Sequence, residues 1–245
     1  DLIRPAVEGT ARALDAALAA DVERIVLTSS MVAITYGHPH SRTAPYDESD
    51  WTNDTSDRTN AYGRSKTRAE RKAWEMMKQA NRTPDLAVIN PSFILGPLLN
   101  RDPGTSGALI MRFLNGSLPA APRISFPCVD VRDVAKLHVH AMTSPEAGGQ
   151  RHLAASNILS MMEMARVLKQ HFPAYASKLP RFEIPDWLVR IYALFDADAR
   201  DNVGELGQTR TINAARARKL LGHDFIPSED SLVALARSIV DQKLI

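Results

Sequence analysis

RIVLTSS at Arg24–Ser30 and DLAVINPS at Asp85–Ser92 are two short apolar runs, each closing on hydroxyl or amide side chains. Neither alternates polar with apolar residues. A run of this kind fits a strand buried on both faces, as in a parallel sheet. Parallel neighbours need a long crossover, and the intervening sequence offers one. Ala61 to about Ala80 reads as a helix in which Ala69, Ala73, Trp74 and Met77 face away from alternating Arg and Lys. Before the first run, PAVEGTARALDAALAADV carries Val7, Ala11, Leu14 and Leu18 on one helical stripe. QRHLAAS, from Gln150, reads as a third strand. Helix, strand, helix, strand, helix, strand is the α/β pattern, with right-handed crossovers around a parallel sheet.

The remainder carries more helices than strands. ALIMRFLNG, VDVRDVAKLHVHAMTS (entered through Asp130 or Asp133), LSMMEMARVLKQHF, DWLVRIYALFD, NAARARKLLG and SEDSLVALARSIVDQ have helical spacing. RFEIP reads as a short strand and FILGP as a turn, and Ser228 is the expected N-cap of the last helix. This predicts a small helix-rich lobe laid over the carboxyl ends of the strands, where open α/β sheets bind ligands. TSS and NPS would then point into one crevice. Residues 35–60 form a polar, turn-rich loop, and ordered loops of such length are usually functional.

Bulk properties narrow the class. The 245 residues are 44% hydrophobic and 24% charged, ordinary values for a globular chain able to bury a sizeable core. A formal net charge of +2 argues against a nucleic-acid partner or a membrane surface. No apolar run approaches the length of a membrane span. Cys128 is the single cysteine, which excludes an internal disulfide and fits a reducing, cytoplasmic setting.

Within the long helix, AYGRSK at residues 61–66 places Tyr62 and Lys66 one turn apart on one face. Of the five tyrosines, Tyr62 alone has lysine four positions on. Spacing by itself is a weak signal, but this helix lies between the two strands that end in hydroxyls. An ammonium beside a phenol lowers its pKa from about 10, each unit being worth about 1.4 kcal/mol. A phenol so tuned can give a proton to a carbonyl oxygen that receives hydride. Ser30 could hydrogen-bond the same oxygen. Ser29 and Thr28 compete for that role; strand alternation lets only some of the three face the crevice, and Ser30 is favoured.

TSS, then YGRSK with Tyr62 standing 32 residues after Ser30, then NPSFILGP and VDVRDVA, resemble the extended short-chain dehydrogenases/reductases. PAVEGT, PYDESDW and RARKLLG…FIPSEDSL resemble more narrowly their dihydroflavonol 4-reductase-like branch, with its cinnamoyl-CoA, aldehyde and ketone reductases. The resemblance covers essentially the whole chain. It implies a Rossmann-like doubly wound sheet in residues 1–140, and in 141–245 mainly a substrate lobe with segments returning to the first domain. It implies Ser30, Tyr62 and Lys66 as catalytic residues. Thr28, Ser29, Tyr62, Lys66, Pro91, Ser92, Phe93, Ile94 and Ser106 would touch the cofactor, and Thr35 would face substrate. The expected reaction is reduction of an aldehyde or ketone to an alcohol, with NADP(H) rather than NAD(H) as cofactor. Nucleotide-sugar epimerisation or dehydration, 3β-hydroxysteroid-type dehydrogenation and a dinucleotide-sensing scaffold are the alternatives. The partner is a small carbonyl or alcohol, and the assembly a monomer or homodimer.

One departure from the family pattern stands out. The Gly-rich turn after a first strand, which cradles a dinucleotide pyrophosphate, has no counterpart here. Gly104 with Gly107, and Gly204 with Gly207, lack the third glycine. The chain opens DLIRPAVEG, directly in a helix, so the resemblance implies that roughly a hundred residues of sheet precede it. The expectation is that residues 1–245 alone bind NADP(H) poorly and turn nothing over. Other features read more plainly. His38 and His40 form a solvent-facing pair, with no metal expected. His138 and His140 are structural, MMEM at 161–164 fills core, Cys128 is inert, and the basic run from Arg64 to Lys72 is a solvated face.

Overall fold

The computed structural model describes residues 2–39, 41–195, 200 and 203–245. Its contacts divide the chain into two interleaved units: Asp1–Ser92 with Asp133–Ala155 and Thr211–Asp224, and Phe93–Arg132 with Ser156–Arg210 and Phe225–Ile245.

The first unit is built on a three-stranded parallel sheet. β1 (Ile25–Thr28) pairs with β2 (Leu86–Pro91) from Ile25↔Leu86 to Thr28↔Ile89, and β2 pairs with β6 (Gln150–Ala154) from Ala87↔Gln150 to Pro91↔Ala154. The order β1-β2-β6 leaves β2 central, and all six of its residues are buried, as its unbroken apolar run requires. α1 (Ile3–Ala19) and α3 (Ala61–Gln79) pack side by side on one face. The stripe foreseen on α1 delivers Ala11, Leu14 and Leu18 to Ala73, Met76 and Met77 of α3 and to Leu86 and Val88 of β2. Burying each large side chain stabilises the unit by roughly 1.5–3 kcal/mol. A one-turn helix, α2 (Val32–Thr35), follows β1. α5 (Val131–Thr143) and α8 (Ala215–Leu221) complete the unit.

His152, on β6, is buried, and its Nε2 faces the carbonyl of Ala147 at 3.3 Å, so that nitrogen carries the proton. Burial, with Arg216 adding, pushes its pKa down from 6.5 to about 4. A depressed base favours the fold fully above pH 6.5 and loses that contribution as pH falls through 4. His152→Phe should therefore flatten the acid limb of stability by about 3 kcal/mol between pH 7 and 4. Urea unfolding of both proteins at the two pH values checks this; equal losses would remove His152 from the acid response.

The second unit holds two small sheets. β3 (Phe93–Leu95) runs parallel to β5 (Ser125–Asp130), which pairs antiparallel with β7 (Ile158–Ser160); β4 (Ala121–Pro122) pairs parallel with β8 (Glu183–Ile184). α4 (Gly104–Asn115), α6 (Met161–His171) and α9 (Ser228–Asp241) enclose one core, with Phe113, Leu114, Met164, Leu168, Leu232 and Ile239 at its centre. α7 (Asp186–Tyr192) adds Val189 to it. α6 opens on a capping box in which Ser160 and Glu163 exchange bonds, and the Ser160 backbone and hydroxyl hold the Glu163 carboxyl below its usual range. The acid of MMEM is thus a cap, while Met161 and Met164 fill core.

Three expectations change. FILGP is not all turn: Phe93–Leu95 is strand, and the chain bends at Gly96, where φ is +116° and a Cβ would lie 2.8 Å from Val131 Cγ1. VDVRDVA begins in strand β5, whose last residue, Asp130, accepts from the Arg132 amide at 2.8 Å as α5 starts. Burial opposes the charge on Asp130, yet Arg132, Ser231 and that amide hold its pKa below the usual value. Ser228 is the first residue of α9 rather than its N-cap, because its hydroxyl donates to the Asn157 carbonyl at 2.9 Å.

Candidate active site

Asn60 decides where α3 begins. Its side chain accepts from the Gly63 amide at 2.8 Å, an N-cap that places Tyr62 in the first turn. Tyr62 is 47% exposed, and Lys66 lies one turn on with Nζ 6.0 Å from the centre of the Tyr62 ring. The spacing in AYGRSK therefore becomes a facing phenol and ammonium. Ser65 donates back to the Tyr62 carbonyl and Thr67 to that of Gly63, at 2.8 and 2.7 Å, so the helix start is pinned by its own hydroxyls.

The three hydroxyls at the end of β1 have separate tasks. Thr28 is exposed and pairs with His138 Nε2 at 2.7 Å; His138 Nδ1 faces the Val134 carbonyl at 2.8 Å and so carries the proton, leaving Nε2 to accept. Ser29 turns inward and donates to Glu70 at 2.5 Å, so its hydroxyl is committed to the interior. Ser30 is half-buried and accepts from the Val32 amide at 3.3 Å, which leaves its own proton available to an oxygen. Thr35, expected to face substrate, is 2% exposed and donates to the Met31 carbonyl, so it lines no surface of this unit.

At the end of β2, Pro91 accepts from the Met31 amide and the Ser92 amide donates to Ala154, at 2.8 and 2.9 Å. Asn90 Nδ2 donates to Glu70 at 2.7 Å and to the Ser30 carbonyl at 3.2 Å. Among the described residues, Asn90 Oδ1 and Ser92 Oγ are buried without a hydrogen-bond partner. Unpaired buried polar atoms are costly, and these two stand at the strand end where a ligand amide or hydroxyl could satisfy them. Of the remaining cofactor candidates, Phe93 and Ile94 lie on β3 and Ser106 on the first turn of α4, in the second unit. Phe93 stacks on Phe126 with ring centres 4.7 Å apart, and Ile94 pairs with Val129.

Sequence reasoning missed the buried cluster beneath the site. Glu70 and Arg151, with side chains 0% and 7% exposed, form an ion pair at 2.6 Å. Arg151 also donates to the carbonyls of Glu48 and Asp50, at 3.1 and 2.6 Å, and lies 3.8 Å over the Trp51 ring. The loop motif PYDESDW is thus a set of anchors. Tyr46 bridges to Ile212, Glu48 accepts from the Leu153 amide at 3.0 Å, and Asp50 pairs with Arg42 at 2.7 Å. The basic run on α3 works likewise. Arg68 and Arg71 clamp Asp54 and hold its pKa below the usual value, the Arg68 hydrogen bond most of all, and Arg64 reaches the Ser56 carbonyl. Gly37 closes the same loop at φ +74°, where a Cβ would come within 2.5 Å of the Asn53 carbonyl. His38 faces the Ile34 carbonyl at 2.9 Å; His40 lies outside the described residues. A groove of about 660 Å³ between α1 and α3 is lined by Ile3, Val7 and charged side chains, and includes none of Ser30, Tyr62 and Lys66.

Residues 1–158 match the model of the NAD dependent epimerase/dehydratase family. Cinnamoyl-CoA reductase CAD2 of Medicago truncatula is 36% identical over 178 residues, covering 71% of this chain and 53% of the relative. The chain thus spans about half the length of the curated relatives it matches. Among solved structures, yeast methylglyoxal/isovaleraldehyde reductase Gre2 complexed with NADPH superposes with a TM-score of 0.77 at 25% identity, covering 98% of this chain and 71% of its own. Gre2 of Candida albicans in complex with NADPH gives 0.75 at 28%, covering 98% and 71%. The parallel sheet, the Tyr–Lys helix and the family match agree: the chain belongs to the NAD dependent epimerase/dehydratase family, in the dihydroflavonol 4-reductase-like branch of the short-chain dehydrogenases/reductases.

Proposed function

We propose that the protein carrying this chain is an NADP(H)-dependent reductase that converts an aldehyde or ketone to an alcohol. The observation that carries the reading is Lys66 facing Tyr62 across 6.0 Å on a capped helix start. The relatives support it, since they are reductases by name and two of the solved ones hold NADPH. The residues present fit the nicotinamide end of such a cofactor: Ser92 Oγ, buried with no partner among the described residues, offers a bond to an amide, and Lys66 offers bonds to ribose hydroxyls. Thr28 and Pro91 of the same unit are assigned to the cofactor with it.

Bound NADPH would supply hydride to the carbonyl carbon. As the C–H bond forms and negative charge gathers on oxygen, Tyr62 donates its phenolic proton there, forming the O–H bond. Lys66 offsets the charge left on the phenolate. Ser30 donates a hydrogen bond to the same oxygen and fixes its direction. The carbonyl is thereby reduced and the cofactor oxidised. Incubating the full-length protein with NADPH deuterated at the transferring position and a panel of aldehydes and ketones should give alcohol with deuterium on the carbinol carbon. Cofactor binding without label transfer to any member of the panel would sink the reading.

A further inference from the structure

Glu70 gathers four donors, from β6, β2, its own helix and the residue that follows β1. Its Oε1 accepts from Arg151 Nε of β6 at 2.6 Å and from Trp74 Nε1 of its own helix at 3.3 Å. Its Oε2 accepts from Ser29 Oγ, just past β1, at 2.5 Å and from Asn90 Nδ2 of β2 at 2.7 Å. Only a group with acceptors on both arms can take that set; glutamine would turn an NH₂ toward two donors. All three strands of the first unit's sheet are therefore tied, through one side chain, to the helix that carries Tyr62 and Lys66.

The ties lead to the reacting groups by short routes. Lys66 is one helical turn from Glu70 and Tyr62 two turns, so all three fall near one side of α3. Asn90, held by Glu70, also donates to the Ser30 carbonyl, and Ser29 adjoins Ser30 in the chain. A helix side chain ends about 5–6 Å from its axis, so turning α3 by roughly 10° would move the Tyr62 hydroxyl by about 1 Å. A misplacement of that size can cost about 100-fold in rate.

We propose that Glu70 is a positioning residue, fixing the rotation of α3 against the ends of β1 and β2 and so the placement of Tyr62 and Lys66 relative to Ser30. This rests on the reductase reading above. The alternative is a buried pair that supports the fold and nothing else. The two differ in what happens to molecules that are still folded.

Glu70→Gln, Ser29→Ala and Tyr62→Phe are to be made in the full-length protein and assayed well below their unfolding midpoints. For folded Glu70→Gln we expect kcat to fall about 10–100-fold, with KM for NADPH and carbonyl within about threefold of wild type and the pH profile of kcat displaced. Ser29→Ala, which removes one tie and opens no large cavity, should show the same split at about 3–10-fold. If Glu70→Gln does not fold, Ser29→Ala decides. Wild-type kcat with an unmoved pH profile in the deciding variant, while Tyr62→Phe is inactive, would overturn the positioning role and leave the reductase reading standing. Turnover in Tyr62→Phe would overturn the reading itself.

Discussion

Tyr62→Phe is expected to lower carbonyl reduction by about 10²–10⁴-fold while NADPH binding is retained. The substitution removes one oxygen from a side chain that is 47% exposed at the start of a capped helix, so no core contact is lost and no cap is disturbed. On the proposed mechanism, what disappears is the proton. Phenylalanine leaves Lys66 and Ser30 in place, so the oxygen of a bound carbonyl keeps a hydrogen bond but has no acid. Single-turnover rates with saturating cofactor, beside a fluorescence titration of NADPH, separate the two effects. Equal rates in variant and wild type would show that the proton comes from elsewhere.

Arg151→Met is expected to cost about 3–5 kcal/mol of stability. The methionine fills much the same volume, but it strands the Glu70 carboxylate, 0% exposed, without its cation. The carbonyls of Glu48 and Asp50 lose a donor at the same stroke, and Trp51 loses the guanidinium 3.8 Å over its ring. In a chain of this size a loss of 1 kcal/mol lowers the midpoint by about 2–4 °C, so thermal unfolding should begin about 6–20 °C earlier. A midpoint within about 2 °C of wild type would mean that the pair carries little of the fold's stability. Arg151→Lys should recover only part of the loss, because an ammonium cannot reproduce the guanidinium fork that reaches Glu70 and two carbonyls together.

The parallel sheet was legible because β1 and β2 are short apolar runs flanked by helices of clear period; β6, with Gln150, Arg151 and His152, carries less of that signal. β5 was not legible: SFPCVD has a proline in its middle and flows into α5 without a break, so its strand merges with the helical pattern that follows. β3 was hidden by its length, three residues ahead of Gly96-Pro97, which read as a turn. The Tyr62–Lys66 face followed from spacing alone, since a helix fixes the geometry of residues four apart. Glu70 did not, because three of its four partners lie 41, 20 and 81 residues away in sequence. One local trace existed. Glu70 falls in phase with buried Ala73 and Met77, and an acid inside an apolar stripe has to find donors. The tasks of Glu48 and of the Glu48 and Asp50 carbonyls were equally invisible, since the bonds they make, to the Leu153 amide and from Arg151, involve backbone groups that every sequence has.

The chain passes between its two units five times, at Ser92, Arg132, Ala155, Arg210 and Asp224. Neither unit is a cassette. Recombination at a single crossover cannot exchange one for a homologue's without also replacing pieces of the other. Grafting the second unit from a relative would require five junctions, each joined in register.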